Sequence, residues 1–430
     1  MLIMQIDIHL DGVWHACAAV VQTTADSTPR GSVRLQYDTD YAVEHLDAQD
    51  HRALTVRAPV DLGIRALPHW PSFLIDLLPQ GAARRRIERT AATTISAWEL
   101  LERGAVNPVG NLRVHPLQPR QPGRHSGFAL KEMIERGDAF VDYALECGAA
   151  VAGATDTQGD APKFWVVEDE QGRWHPDSGE IPFGIRRHAL LKFPVSESGP
   201  RAADILRHEA AYQRVAARVG LRVTSPLPEF ADGALLIPRF DRRVIDGREI
   251  RLGVESLYSI CGVLDSALTV LRHDQVLIAL ARCVSNFRVE LAEYVRRDLF
   301  NLALGNRDNH GRNAAVLKDT DGTMALAPIY DFGPAFLDAR AIARVLRWEG
   351  EAAGGGEWNR VLDLLEIRFE EAGLASPRKP LMQIFCETAA ALETLPQVMR
   401  QCGVDEVIVG HRHDDIVRLA NGLRASGGRP

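Results

Sequence analysis

Thirty-six residues, Asn301 to Phe336, constrain this chain more than any other stretch. They read Asn301-Leu-Ala-Leu-Gly-Asn-Arg-Asp-Asn-His-Gly-Arg-Asn313, then an apolar Ala-Ala-Val-Leu, a polar turn, and Ala327-Pro-Ile-Tyr-Asp-Phe-Gly-Pro-Ala-Phe336. Just upstream, Val289–Leu304 carries apolar residues every three or four positions, which predicts a helix delivering a polar loop. Asp308 and Asn313 lie five apart in that loop, and Asp331 ends an apolar run and enters Gly333-Pro334. Carboxylate and amide oxygens are what a hard divalent cation takes as ligands. Asp and Asn are also ordinary loop formers, because each can bond its own backbone. Two aspartates and an asparagine in this order narrow the choice.

The order matches the parts of a protein-kinase catalytic centre: D-x-x-x-x-N, a short hairpin, then D-F-G. In that chemistry one Asp accepts or orients the attacking hydroxyl, while the Asn and a second Asp hold Mg²⁺ on the phosphates. Two other readings use some of the same residues. One is a metal-dependent hydrolase or nuclease built on Asp308, His310 and the tail segment His411-Arg-His413-Asp-Asp415. Against it, His411 and His413 stand two apart on a predicted helix and so point to different faces. The other is a kinase-like binding protein without catalysis.

Upstream, Ala189-Leu-Leu-Lys-Phe-Pro194 is an apolar strand with one lysine, Lys192, whose unpaired burial would be costly. It reads either as a phosphate-binding lysine paired with a glutamate on the next helix or as an edge lysine whose head reaches solvent. The next helix is expected over Arg201–Val219, with Glu209 in the matching place. The stretch from Ala149 to Lys163 is small and contains Gly153, so its backbone N–H groups could approach phosphates closely, although an ordinary surface loop reads the same way. Near the N-terminus, Ile3 to Val21 reads as a hairpin turning at Asp11-Gly12, and Gly31–Tyr37 continues the strand pattern. From Pro68 to Arg89 the apolar residues fall at helical spacing, and Pro119–Arg124 reads as a linker.

Gly305-Asn-Arg-Asp-Asn-His-Gly-Arg-Asn313 followed by Ala327-Pro-Ile-Tyr-Asp331 resembles the HipA family, the serine/threonine-kinase toxins of bacterial toxin–antitoxin pairs. The family pattern is G-N-x-D-x-H-x-x-N and then A-P-x-Y-D. Phe73-Leu-Ile-Asp-Leu-Leu-Pro-Gln-Gly81 is similar to the family's L-L-P-E-G segment, with Gln80 for Glu. Gly110-Asn-Leu-Arg-Val114 resembles its G-x-L strand, and Ala234-Leu-Leu-Ile-Pro-Arg-Phe-Asp-Arg242 its V-E-R-F-D-R strand, with Pro238 for Glu. The resemblance implies an α+β chain with a HipA-like protein-kinase fold. A small N-terminal β/α subdomain (1–124) would precede a β-rich N-lobe (125–250) and an all-helical C-lobe (251–430).

The resemblance also implies ATP and Mg²⁺ as cofactors and transfer of the γ-phosphoryl group to a protein hydroxyl. Asp308 would be the base or hydroxyl orienter, Asn313 and Asp331 the Mg²⁺ ligands, and Lys192, with Glu209, the phosphate lysine. Lys163 and Gly153 would belong to the phosphate loop, Arg239 and Phe240 to the strand leading to the adenine, and His310 would support the loop or touch the nucleotide. Arg239, Asp241 and Arg242 also read as a structural ion-pair cluster. The family's phosphate loop carries a serine whose autophosphorylation ejects it; here Thr155 and Thr157 are the nearest hydroxyls. The implied partner is a small DNA-binding antitoxin, and the implied target an aminoacyl-tRNA synthetase.

Composition removes several classes. With 430 residues, 46% hydrophobic and 25% charged, the chain can bury the cores of two or three subdomains. A net charge of -7 leaves no general basic footprint for nucleic acid, although Arg84-Arg85-Arg86 is locally basic. The six cysteines form no C-x-x-C, which suits reduced thiols rather than a zinc site or a disulfide framework. No signal pattern and no membrane-length apolar run is visible, so the expectation is a cytoplasmic protein with no membrane and no direct nucleic-acid contact.

Overall fold

The computed structural model describes residues 2–79, 84, 87–89, 94–105, 107–116, 127–136, 163–177, 184–192, 199–264, 270–337, 343–351 and 357–427. The expected phosphate loop up to residue 162, with Gly153, Thr155 and Thr157, lies outside these residues, as does the expected linker at 119–124.

The chain forms two compact units, both discontinuous in sequence. The first is Met1–Leu206 with Pro228–Leu264 and Leu317–Thr323; the second is Arg207–Leu227 with Asp265–Val316 and Met324–Pro430. These units interleave along the chain, whereas the expected subdomains at 1–124, 125–250 and 251–430 are consecutive. Arg207–Leu227 joins the second unit because Tyr212, on this stretch, is buried against Phe332 and bonded to Leu304. The turn Leu317–Thr323 joins the first because Lys318 is buried there, donating to the Ala53 carbonyl and Glu255, each at 3.2 Å.

The first unit holds two five-stranded antiparallel sheets with separate cores. β1 (Ile3–Leu10), β2 (Val13–Gln22), β3 (Val33–Tyr37), β4 (Arg65–Leu67) and β5 (Leu112–Val114) lie in the order β4-β3-β2-β1-β5. The β1–β2 hairpin turns at Asp11 and Gly12, both at positive φ (49° and 86°), the backbone a two-residue turn demands. Its core includes Ile6, Ile8, Val20 and Leu35, with Trp70 and Trp98 edge-to-face at 5.7 Å. Trp98 sits on α1 (Ala97–Gly104), which starts with a reciprocal Ser96–Glu99 capping box. The second sheet, β6 (Lys163–Asp169), β7 (Trp174–Pro176), β8 (Ile185–Lys192), β9 (Glu229–Ala231) and β10 (Ala234–Pro238), runs β7-β6-β8-β10-β9. Phe164, Val166, Leu191 and Leu236 pack there with Met133 of α2 (Leu130–Arg136). Pro238 pairs with Ala189 of β8 beyond the point where β9 pairing stops at Leu236, so its missing N–H breaks no ladder bond on the β9 side.

The second unit is largely helical. α3 (Gly199–Arg218) enters it at Arg207, followed by α4 (His273–Cys283) and α5 (Phe287–Leu304), then α6 (Trp358–Glu371), α7 (Arg378–Gln401) and α8 (Glu406–Gly427). α3 and α5 fall within a few residues of the expected helices over Arg201–Val219 and Val289–Leu304. The expectation of an all-helical C-terminal region is corrected by a hairpin of Ala315–Lys318 and Met324–Leu326, adjacent strands of one sheet. Among the described residues, no helix is long and apolar enough to cross a membrane.

Candidate active site

The loop that follows α5 is built from its own side chains. Asn286 starts α5 by accepting the Val289 N–H, and Gly305 ends it in the left-handed region at φ 72°. Asn306 then bonds back to Asn301 at 2.9 Å and accepts the Asp308 N–H at 3.3 Å. The Asn313 amide Nδ2 donates to the Asp308 carbonyl at 2.8 Å, closing the five-residue spacing into a ring. A carbonyl can only accept, so the amide is fixed with Oδ1 turned the other way. That Oδ1 is buried and has no hydrogen-bond partner among the described residues. A buried acceptor without a donor is unfavourable by about 1–3 kcal/mol and is what a cation ligand looks like without its cation.

His310 belongs to the same ring. The Arg312 N–H donates to its Nδ1 at 3.2 Å, which leaves the ring proton on Nε2, 3.3 Å from Asp308 Oδ1. The imidazole thus lies beside the Asp308 carboxylate at ion-pair distance. Tyr330 closes the loop's far end by donating to the Arg312 carbonyl at 2.7 Å.

Asp331, at the start of Asp-Phe-Gly, has φ 53°. A non-glycine residue held there is strained by roughly 1–3 kcal/mol, and such strain gathers at functional positions. Phe332 is fully buried against Tyr212, with ring centroids 5.8 Å apart. Gly333 lies so near α3 that an added Cβ would be 3.6 Å from the Glu209 Cβ. The buried Glu209 therefore abuts the Asp331 turn.

Residues 343–351, in the region after Asp-Phe-Gly, are anchored to α4 and α5. Asn309 donates to the Leu346 carbonyl at 2.8 Å and accepts the Val345 N–H at 2.9 Å, gripping main chain rather than side chain. The Arg344 guanidinium and the Trp348 indole both reach Asp298, at 2.5 and 2.7 Å, and Trp348 stacks on His273 at 4.4 Å. Asn309, Tyr330 and Asp298 were not singled out from sequence; the position of Asn309 inside the D-x-x-x-x-N spacing was the one available signal.

In the first unit, Lys163 on β6 and Lys192 on β8 are direct cross-strand partners. Lys192 is buried, and Glu209, its expected partner, belongs to the second unit. Arg239 sits in a buried ionic cluster: it donates to both Asp241 oxygens at 2.9 and 2.7 Å and to Asp177 at 3.2 Å, with its guanidinium 4.1 Å from the Trp165 ring centre. Asp241 also accepts from Arg242 and the Gly110 N–H. Burial alone would raise its pKa, but the Arg239 and Arg242 charges hold it well below the usual carboxylate range. With its donors directed to protein carboxylates, Arg239 takes the structural role that the sequence also allowed, beside Arg242. Phe240 is half-buried at the bend after β10.

His411 and His413 do not join a metal cluster with Asp308 and His310. His411 stacks on Phe336 at 5.0 Å, and no group of three or more His, Cys, Asp or Glu among the described residues is placed to hold a metal.

The chain thus combines a loop closed by Asp308 and Asn313, a strained Asp331 turn, a unit with two antiparallel sheets and a largely helical unit. The family described as HipA-like C-terminal domain matches residues 153–395, and the chain belongs to that family. A similar curated protein is "Putative kinase Y4mE" of Sinorhizobium fredii (strain NBRC 101917 / NGR234), 26% identical over 260 residues. That match covers 58% of this chain and 59% of the relative, so less than two thirds of the relative's length is spanned. Among solved structures, the Shewanella oneidensis MR-1 toxin–antitoxin complex of HipA, HipB and operator DNA shares the fold, with a TM-score of 0.66 and 16% identity over 97% of this chain and 96% of that one. The Helicobacter pylori proinflammatory kinase CtkA matches at a TM-score of 0.35 and 10% identity over 63% of this chain and 89% of that one, too distant to define a shared fold.

Proposed function

We propose that this chain is an ATP- and Mg²⁺-dependent serine/threonine-protein kinase of the HipA type. The observation that carries the reading is Asn313: its Nδ2 is committed to the Asp308 carbonyl, and its buried Oδ1 has no donor among the described residues. That is the demand a Mg²⁺ ligand makes of an amide, and the carboxylate of Asp331 is the second oxygen donor of the right kind. Asn313 and Asp331 would hold Mg²⁺, and Lys192 and Lys163, cross-strand partners on one ladder, would take the phosphates. ATP with Mg²⁺, when bound, supplies the phosphoryl group to be transferred. Asp308 orients the substrate hydroxyl and takes the proton it gives up, while His310 keeps the carboxylate turned toward that hydroxyl.

A small DNA-binding antitoxin is the proposed partner, supported by the fold shared with the Shewanella HipA–HipB–DNA complex. A translation component such as an aminoacyl-tRNA synthetase is the proposed target, and the cytoplasm the proposed location, on family resemblance. Growth inhibition is proposed on the same ground.

Calorimetric titration of ATP with and without Mg²⁺, on the wild type and Asn313→Ala, tests the reading. Mg²⁺ should tighten wild-type binding by tenfold or more, on the order of 1.4 kcal/mol, and the variant should lose that gain. Equal Mg²⁺ dependence in both proteins would remove Asn313 from the metal site.

A further inference from the structure

The last three carbonyls of α5 are all capped by side chains from elsewhere in the second unit. Arg412 of α8, itself buried, donates Nη2 to the Leu302 carbonyl at 2.9 Å and Nε to the Ala303 carbonyl at 3.0 Å. Its Nη1 is held by Asp415 at 2.7 Å. Tyr212 of α3, fully buried, donates its hydroxyl to the Leu304 carbonyl at 3.0 Å. The final carbonyls of a helix have no partner inside it, and a cation at that end also meets the negative pole of the helix dipole.

The same two side chains also touch the segment that follows Asp331. The Tyr212 ring packs on Phe332, and the Arg412 guanidinium lies 5.7 Å from the Phe336 ring centre, within cation–π range. Between them Gly305 leaves no spare room: an added Cβ would meet the Phe336 ring at 2.8 Å and Arg412 at 3.1 Å. Gly305 starts the run to Asp308, and Phe332 and Phe336 follow Asp331. Two brackets, one from α3 and one from α8, therefore tie the Asp308 loop to the Asp331 turn.

We propose that Arg412 and Tyr212 are positioning residues that fix the spacing between Asp308 and Asp331, so that the C-terminal helix α8 governs the rate of phosphoryl transfer. The proposal rests on the reading of Asp308 and Asp331 given above. Arg412 acts through geometry: its planar fork caps two carbonyls while its face meets a ring, and a lysine, with one ammonium head, cannot do both. A misplacement of about 1 Å at a reacting centre lowers rates by about a hundredfold.

The test uses the full chain with Arg412→Lys, which keeps the charge, and Tyr212→Phe, which keeps the ring. Amide hydrogen exchange is followed at 303–309 and 331–337, beside steady-state kinetics. In either variant exchange should quicken by about tenfold in both segments together, the loss of one hydrogen bond. The kcat should fall about ten- to a hundredfold while the KM for ATP moves less than about threefold. Faster exchange confined to 303–305, or an unchanged kcat in a folded variant, would overturn the proposal. If the wild type transfers no phosphate, the kinase reading fails on its own, and the exchange measurement still decides whether the two segments are coupled.

Discussion

Lys163 and Lys192 face one another across the β6–β8 ladder. Two lysines on one rung offer a phosphate two cationic contacts, the role the kinase reading gives them. ATP at about a hundred times its Kd should therefore stabilise the wild type by about 2.7 kcal/mol. In Lys192→Met the same ATP concentration should give little or no rise in Tm. A full ATP-induced rise in this variant would take Lys192 out of the phosphate site.

Asp331 combines a carboxylate with a left-handed backbone, φ 53°. Asp331→Gly and Asp331→Ala both remove the carboxylate, but only glycine adopts that backbone without strain. The glycine variant should unfold about 1 kcal/mol later than the alanine variant. Both should lose the Mg²⁺-dependent part of ATP binding. Equal stabilities, measured by urea titration, would show that the backbone there is not strained.

The residue order at 301–336 made the candidate site legible before any geometry, because loop, hairpin and turn follow one another in sequence. Helical spacing located α5 for the same local reason. What the sequence concealed lies in contacts between distant segments. Nothing near Arg412 announces that it caps α5, 110 residues upstream of it at Leu302. Arg239 read two ways, and its partner Asp177 lies 62 positions away in the chain. The unit boundaries were hidden likewise: α3 crosses from one unit to the other without a break in its helix.

His273 gives a pH dependence with a definite sign. Burial lowers its pKa from 6.5 to about 4, with the Arg344 charge acting in the same direction and Asp298 and Asp274 opposing. The Tyr294 hydroxyl and the Trp348 ring also face the imidazole. The folded state favours neutral imidazole, so between pH 4 and 6.5 the unfolded chain binds more protons. The stabilisation is complete above about pH 6.5 and is lost as pH falls toward 4, up to about 3 kcal/mol. Urea unfolding of the wild type and His273→Gln at pH 7.5 and pH 5 should show the wild type losing more stability on acidification. Parallel losses in the two proteins would place the acid sensitivity elsewhere.

The central claim is that Asp308 performs phosphoryl transfer from within a ring closed by Asn313. It is tested most directly by incubating the wild type and Asp308→Ala with γ-labelled ATP, Mg²⁺ and candidate protein acceptors, the chain itself included. Labelled serine or threonine is then located by mass spectrometry, and thermal unfolding is recorded for both proteins. The account expects label with the wild type and at least about a hundredfold less with the variant, the usual scale for a general base. The variant should still unfold in one cooperative transition, because Asn313 bonds the Asp308 carbonyl, which alanine keeps. Undiminished transfer by a folded Asp308→Ala protein, or no transfer by the wild type under any of these conditions, would contradict it.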